Sequence, residues 1–287
     1  THAVAGGGGH PRGRLLCCRR FGNHAAGTHH VMVFQRDWPS RADCMAAIRG
    51  ARCAMTGVLA IDIGGTKTLA ALVDGTTVID AREAPTPRDL NVEDWCDAVS
   101  QLTEGWQGKF DCVGAAVTGV ISNGQWSALN ASILPVPSGY PLASELQMRF
   151  GKPAACFNDA HAAAWGEHRF GAGRGEDLFF LTVSSGIGGG AVIGGRLLGG
   201  RGGMAASAGL QRMGISGEGG PVEDQAAGLW MARAAGQAGH DGDAVSVFAA
   251  AAKGQDWASR ILNQSADAVA NLVLNIQLMF DPPCIII

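Results

Sequence analysis

From residue 55 onward, short apolar runs alternate with stretches in which apolar residues recur at helical spacing. The apolar runs predict strands at 58–63, 69–74, 77–80, 112–117, 154–157, 178–183 and 191–193, and a last one from residue 284. Helical spacing predicts helices that begin after Asn91, Pro141, Asn158 and Pro221, and a longer helix that ends before Pro282. Residues 122–140 are predicted to be loop-rich. This alternation predicts an α/β protein.

The first strand pair is joined by a glycine turn, Gly64-Gly65-Thr66-Lys67. Because glycine has no Cβ, its backbone N–H can approach phosphate oxygens closely. Thr66 adds a hydroxyl and Lys67 a positive charge, and Asp62 at the strand end is placed to hold Mg²⁺ directly or through water. The stretch is not a Walker A loop, since Lys67 follows Thr66. The alternative is an ordinary glycine hairpin turn.

A second turn of the same kind, predicted at 184–190, separates the strands at 178–183 and 191–193. Neither turn fits the Rossmann dinucleotide motif, because a strand and not a helix follows each of them. Two such hairpins in one chain predict a clamp that grips a polyphosphate from two sides.

Asn158 and Asp159 stand where a strand runs into an alanine-rich helix. Either residue can serve as a simple N-cap. In the functional alternative, Asp159 is kept ionised by the helix dipole and accepts the proton of a substrate hydroxyl as general base. His161, inside the helix, is predicted to be exposed or packed and not catalytic.

Composition excludes several classes of function. The net charge is −3, so neither nucleic acid nor an acidic membrane surface is expected as a partner, and no apolar run reaches the roughly 18 residues that span a bilayer. The eight cysteines are scattered and form no Cys-x-x-Cys pair. They predict free thiols in a reducing compartment, and thus a cytoplasmic protein.

Residues 1–54 keep no helical or alternating period, although they are rich in glycine, histidine and arginine. A metal-binding tract, a basic arm and a targeting peptide are the alternatives. We expect a poorly ordered extension that need not be native, with Met55 as the natural start.

Three motifs together resemble the ROK family of sugar kinases: 62–67 (Asp-Ile-Gly-Gly-Thr-Lys), 158–165 (Asn-Asp-Ala-His-Ala-Ala-Ala-Trp) and 183–190 (Val-Ser-Ser-Gly-Ile-Gly-Gly-Gly). The second is most similar to bacterial N-acetylmannosamine kinases. The resemblance implies a two-lobed, actin-like ATPase fold of the ribonuclease H-like type, with ATP and sugar between the lobes. It implies an N-terminal α/β lobe at 55–157 and a C-terminal lobe at 158–287, the latter incomplete.

The resemblance also implies a reaction and a set of site residues. The reaction is ATP-dependent, Mg²⁺-assisted phosphorylation of the 6-hydroxyl of an N-acylmannosamine, as in sialic acid catabolism, by a homodimer that takes a small sugar. Asp159 matches the catalytic base. The sugar-contact positions match Gly119, Asn130, Asn158 and Glu223. The ATP-binding positions match Ala60, Ile61, Asp62, Ile63, Gly64, Gly65, Thr66, Lys67, Ser185, Gly186, Ile187, Gly188 and Gly189.

Two departures from the family pattern bear on the sugar site. Ser207 and Leu210 stand where relatives carry a sugar-binding acid and a histidine, and 211–224 lacks the cysteines of the family's zinc motif. Because leucine cannot ligate zinc, no structural zinc site is predicted. Either packing orders this loop or sugar binding is weakened. The alternatives are another ROK hexokinase for glucose or N-acetylglucosamine, a sugar-binding pseudoenzyme, and a ROK transcriptional regulator.

Overall fold

Two β-sheets carry the fold in the computed structural model, which describes residues 57–87, 91–131, 134–213 and 220–287. The predicted extension at 1–54 lies outside these residues. The strands are β1 Val58–Ile63, β2 Lys67–Asp74, β3 Thr77–Pro85, β4 Cys112–Val117, β5 Val120–Ser122, β6 Gln125–Ser127, β7 Ala154–Asn158, β8 Leu178–Val183, β9 Ile187–Ile193, β10 Arg196–Leu197 and β11 Ile285–Ile286. The helices are α1 Val92–Leu102, α2 Leu142–Phe150, α3 Asp159–Arg169, α4 Glu223–Ala226, α5 Gly228–Gln237, α6 Ala244–Ala252 and α7 Asp256–Phe280, with a 3₁₀-helix at Ala208–Leu210.

The first sheet has the strand order β3-β2-β1-β4-β7. Strands β1, β2 and β3 form an antiparallel meander, whereas β4 and β7 run parallel to β1. The register pairs Ile63 with Val117, and Val117 with Asn158. The carboxyl ends of the three parallel strands therefore meet at one edge of the sheet, which is where α/β proteins bind ligands.

The second sheet repeats this order with fewer strands, as β10-β9-β8-β11. Strands β8, β9 and β10 form the antiparallel meander, and β11 lies parallel to β8. The turn between β8 and β9 therefore occupies the same place in its sheet as the turn between β1 and β2 in the first. The two glycine turns of the sequence are equivalent parts of a repeated frame.

The helices cover the sheets through the apolar residues that the sequence places at helical spacing. Trp95 and Val99 of α1 are buried against the first sheet, and Trp126 packs on Trp95 at 6.0 Å between ring centroids. Asn91 begins α1 with a capping box to Asp94. Both tryptophans are therefore core residues of the first sheet.

Helix α3 lies unusually close to the second sheet. A Cβ placed on Gly190 would come within 2.6 Å of the Ala160 carbonyl oxygen and 2.7 Å of the Ala164 Cβ, and one on Gly188 would meet the Ala160 Cβ at 3.0 Å. Real Cβ atoms do not approach backbone this closely, so glycine is required where the helix and the strand touch. This contact holds the start of α3 next to the beginning of β9.

Several predicted boundaries are wrong. Strand β2 begins at Lys67 and β3 continues to Pro85, while β9 begins at Ile187 and not at residue 191. The error at β9 arose because its glycines were interpreted as a turn, whereas they make room for α3. The stretch 122–140, predicted to be loop-rich, contains β6 and the last residue of β5. Helix α6 was not predicted, because its large residues Val245 and Phe248 are exposed and form no apolar helical stripe.

The helix predicted after Pro221 is also interrupted. Ala227 has extended backbone, with φ −73° and ψ 163°, and separates α4 from α5. As a result, Leu229 is 50% exposed, whereas Val222 and Ala226 are buried. Within the four described ranges, no helix is long and apolar enough to span a bilayer.

Candidate active site

The first turn, Gly64–Thr66, is held by two buried threonines behind it. The Thr86 hydroxyl donates to the Gly64 carbonyl oxygen at 2.8 Å, and the Thr86 backbone N–H donates to the Thr66 carbonyl oxygen at 3.0 Å. Since the Thr86 hydroxyl proton is used in this way, its oxygen accepts from the Thr68 hydroxyl at 2.9 Å. The sequence analysis missed both supports, because Thr86 lies 18 residues beyond Thr68 in the chain.

The second turn, Ser184–Gly186, is held instead by the backbone of α5. The Gly228 N–H donates to the Ser184 carbonyl oxygen at 2.7 Å, and the Leu229 N–H donates to the Ser185 carbonyl oxygen at 3.2 Å. A Cβ on Gly228 would lie 3.0 Å from the Ser184 oxygen, so glycine is needed for this close approach. With Ser184 and Ser185 exposed, this turn is accessible to a ligand.

Asp159 opens α3 directly after β7, and the next residue, Ala160, lies against Gly188 and Gly190 of β9. Its Oδ1 accepts from the Ala160 N–H at 2.8 Å and from the Asn158 side-chain amide at 2.9 Å. Asn158 caps the helix through Oδ1, which accepts from the His161 N–H at 3.1 Å, and its amide also donates to the Gly119 carbonyl oxygen at 3.0 Å. Asn158 is therefore the N-cap, as the first alternative predicts, and it also orients the Asp159 carboxylate, whereas the general-base role of Asp159 stays a prediction.

Gly119 has to be glycine at this point. Its φ is +113°, and a Cβ would lie 2.6 Å from the Ser127 carbonyl oxygen. Its carbonyl oxygen accepts a hydrogen bond from the Asn158 amide, which also donates to the Asp159 carboxylate. Gly119 therefore helps to orient Asn158, and Asn158 orients Asp159. The geometry thus gives Gly119 and Asn158 a structural role, and their sugar contacts stay a prediction.

Burial shifts the titration of both carboxylates in this cluster. Desolvation raises the pKa of Asp62 to about 6; the negative charge of Asp159 adds to this shift, and Lys67 opposes it. Desolvation also raises the pKa of Asp159, against the hydrogen bonds from the Ala160 N–H and the Asn158 amide, which lower it. Because Asp62 feels the charge of Asp159, the first turn and the start of α3 share one polar region.

His161 has a defined partner that the sequence analysis did not identify. The side chain is buried, and its Nε2 lies 2.8 Å from the Ala205 carbonyl oxygen. Of the two alternatives predicted for His161, packing is right and exposure is wrong. The spacing of His161, Trp165 and His168, all three buried, could have shown that His161 faces inward.

The remaining predicted site residues are divided between the strands, an exposed loop and the second turn. Ala60, Ile61 and Ile63 are buried in β1, and Ile187 is buried in β9, so their side chains support the frame. Gly188 and Gly189 belong to β9 and not to the turn. Asn130 is exposed after β6, where its carbonyl oxygen accepts from the Leu134 N–H at 3.4 Å. Glu223 lies at the second turn: a Cβ on Gly186 would be 3.2 Å from its Oε2.

Comparison with known proteins decides the family. The model of the ROK family matches residues 58–287. The chain belongs to the ROK family. It therefore has the two-lobed, actin-like ATPase fold of that family, in agreement with the repeated sheets described above.

Three ROK proteins illustrate the similarity. The chain is 47% identical over 243 residues to the bifunctional enzyme NanE/NanK of Brucella melitensis, covering 84% of this chain and 46% of that enzyme. The chain therefore spans about half the length of that relative. It is 38% identical to the N-acetylmannosamine kinase of Shigella flexneri, covering 80% and 81% of the two chains. A ROK glucokinase from Streptomyces griseus, solved with glucose and AMPPNP, has a TM-score of 0.66 at 29% identity over 80% of this chain and 82% of that one.

The departures from the ROK pattern are visible in the fold. Ser207 directly precedes the 3₁₀-helix Ala208–Leu210, and Leu210 is partly buried. Among the residues that the structure describes, no group of three or more His, Cys, Asp and Glu side chains could hold a metal ion. The prediction that zinc is absent stays a prediction, since 214–219 lie outside the described residues.

Proposed function

We propose that this ROK protein transfers the γ-phosphoryl group of ATP to the 6-hydroxyl of an N-acylmannosamine. The observation that carries the proposal is the position of Asp159, whose carboxylate stands at the start of α3 within the electrostatic reach of Asp62 and beside the strand that follows the second turn. These contacts support a site in which a proton acceptor faces phosphates held by the two turns. This is what phosphoryl transfer to an alcohol requires.

The two turns would hold the phosphates by different means. The first turn offers the exposed Thr66 hydroxyl beside Lys67, whose Nζ lies 3.4 Å from Glu83 Oε2 at the surface. The Gly64 N–H, which the sequence analysis assigned to phosphate, instead donates to the Lys67 carbonyl oxygen at 3.0 Å. Ser185 and Gly186 offer a hydroxyl and a backbone N–H on an exposed turn. Asp62 fits a Mg²⁺ site of the usual kind, in which one or two carboxylates, substrate phosphates and water complete the ligand set. Mg²⁺, when bound, would neutralise charge on the phosphates.

Asp159 would act as general base. Its Oδ1 is fixed by two hydrogen bonds, so the carboxylate is oriented before substrate arrives. The pKa raised by burial makes it a better proton acceptor near neutral pH than an exposed aspartate. The acceptor hydroxyl would lose its proton to this carboxylate as its oxygen attacks the γ-phosphorus and the bond to the β-phosphate oxygen breaks.

The acceptor sugar is inferred from relatives. The relative from Shigella flexneri, named an N-acetylmannosamine kinase, is 38% identical to this chain, whereas the Streptomyces griseus glucokinase is 29% identical. Glucose is the second candidate, favoured by the complex of that glucokinase with glucose and AMPPNP.

The test is a coupled assay of ADP release with N-acetylmannosamine, N-acetylglucosamine and glucose as separate acceptors. We expect the highest kcat/KM for N-acetylmannosamine, and a 6-phosphate product identified by phosphorus–proton correlation in NMR. A preference for glucose would move the assignment to the second candidate. Calorimetric sugar binding without any turnover would contradict the kinase proposal and indicate the pseudoenzyme.

A further inference from the structure

The loop Gly199–Ser207 contacts strand β5, strand β9 and the start of α3. Gly203, with φ +80°, lies so close to β5 that a Cβ there would collide with the Ile121 carbonyl oxygen. Ala206 has φ +62°, a conformation that costs a non-glycine residue free energy unless its surroundings fix it, and its carbonyl oxygen lies against Gly189 of β9. The loop is therefore held in one shape by contacts on two sides.

His161 supplies a third contact, from α3 itself. The Ala205 carbonyl can only accept, so Nε2 of His161 must carry the proton of this 2.8 Å bond. His161 lies two residues after Asp159, and its own backbone N–H is bound by Asn158. One short segment, 158–161, thus fixes the carboxylate through Asn158 and the loop through His161.

We propose that His161 is a positioning residue for the phosphoryl acceptor, because its bond to Ala205 holds the Gly199–Ser207 loop as a wall beside Asp159. The inference rests on the proposed function. Asn158 bonds Gly119 just before β5, and Gly203 packs on Ile121 within β5. The acceptor would therefore lie between these two segments, with Asp159 at its base, and displacement of the loop would weaken acceptor binding more than ATP binding.

The experiment compares His161→Leu with His161→Gln. Leucine keeps the apolar bulk but leaves the Ala205 carbonyl without its donor, whereas the glutamine amide can donate over a similar reach. We expect His161→Leu to raise the KM for N-acetylmannosamine about tenfold, as loss of one buried hydrogen bond predicts. The KM for ATP should stay within twofold, and His161→Gln should restore most of the acceptor affinity.

His168→Leu is the matched control. His168 is buried on the same helix, and its Nδ1 lies 2.9 Å from the Glu176 carbonyl oxygen, at the end of α3 away from Asp159. Its replacement should lower the melting temperature as His161→Leu does and leave both KM values unchanged. If His161→Leu and His168→Leu behave alike, or if His161→Gln fails to restore acceptor affinity, the inference is wrong.

A second measurement separates this inference from the proposed function. Without any ligand, amide hydrogen exchange across 199–210 should become faster in His161→Leu and remain native in His161→Gln and His168→Leu. Unchanged exchange in His161→Leu would overturn the anchoring role. Faster exchange, in a protein that phosphorylates none of the sugars, would instead show that the anchor exists and that the proposed function fails.

Discussion

The first and second turns occupy equivalent places in two sheets of the same strand order, yet they are supported differently. Side-chain hydroxyls of Thr68 and Thr86 hold the first turn, and Asp62 and Lys67 surround it with charge. Backbone N–H groups of α5 hold the second turn. If both turns bind phosphate as proposed, the first would do so with charged groups around it, and the second would do so with neutral ones.

The largest expected effect separates turn glycines from strand glycines. Gly189→Ala should lower the free energy of unfolding by about 3 kcal/mol, the upper range for overpacking, because its Cβ would collide with the Ala206 carbonyl oxygen. Gly186→Ala would meet only the flexible end of Glu223 and should keep native stability while raising the KM for ATP. Chemical denaturation and initial rates measure the two effects. A stable Gly189→Ala protein that has lost ATP binding would assign Gly189 to the phosphate site after all.

The second effect concerns the charge at the first turn. Because the pKa of Asp62 is raised to about 6, the folded protein binds more protons than the unfolded chain between about pH 4 and pH 6, so this group's contribution to stability falls as pH rises through that window. Asp62→Asn removes this pH-dependent loss of stability, because asparagine does not ionise. Relative to native protein, the free energy of unfolding of this variant should be larger, and the variant thus more stable, by about 2 kcal/mol more at pH 7.5 than at pH 4.5. A difference independent of pH would show that Asp62 titrates normally.

The third effect tests the threonine support. Thr86→Val keeps the shape but leaves the Gly64 carbonyl without its donor, which should cost about 1–2 kcal/mol of stability and raise the KM for ATP. Thr77→Val, at an exposed position on β3, is the control and should change neither quantity. Equal behaviour of the two variants would mean that the hydroxyl of Thr86 does not hold the turn.

The smallest effect is expected at Lys67. Its ion pair with Glu83 is half exposed, so neither Lys67→Met nor Glu83→Gln should change stability by more than about 1 kcal/mol. Lys67→Met should raise the KM for ATP about fivefold through loss of a charge near the phosphates, with Glu83→Gln within twofold of native. If both variants raise the KM for ATP equally, the ion pair with Glu83, and not the charge of Lys67 alone, supports ATP binding.

The sequence predicts the frame better than the supports. The strands β1, β4 and β8 and the long helix α7 follow from apolar patterns that are local in the chain, and the resemblance to the ROK family is confirmed. The hydrogen bond from Thr86 to Gly64 joins residues 22 positions apart, and the one from Gly228 to Ser184 joins residues 44 positions apart. No local pattern in the sequence indicates either bond. The glycines of β9 were misinterpreted because a glycine that accommodates a helix and one that forms a turn look alike in sequence.

The central claim is that Asp159, whose carboxylate is fixed at the start of α3, takes the acceptor's proton. The most direct test is Asp159→Asn, which keeps the shape and can still accept the Ala160 N–H. Calorimetry should give near-native affinities for ATP and N-acetylmannosamine, while kcat falls by about 10² to 10⁴. Turnover within threefold of native, at unchanged affinities, would contradict the account.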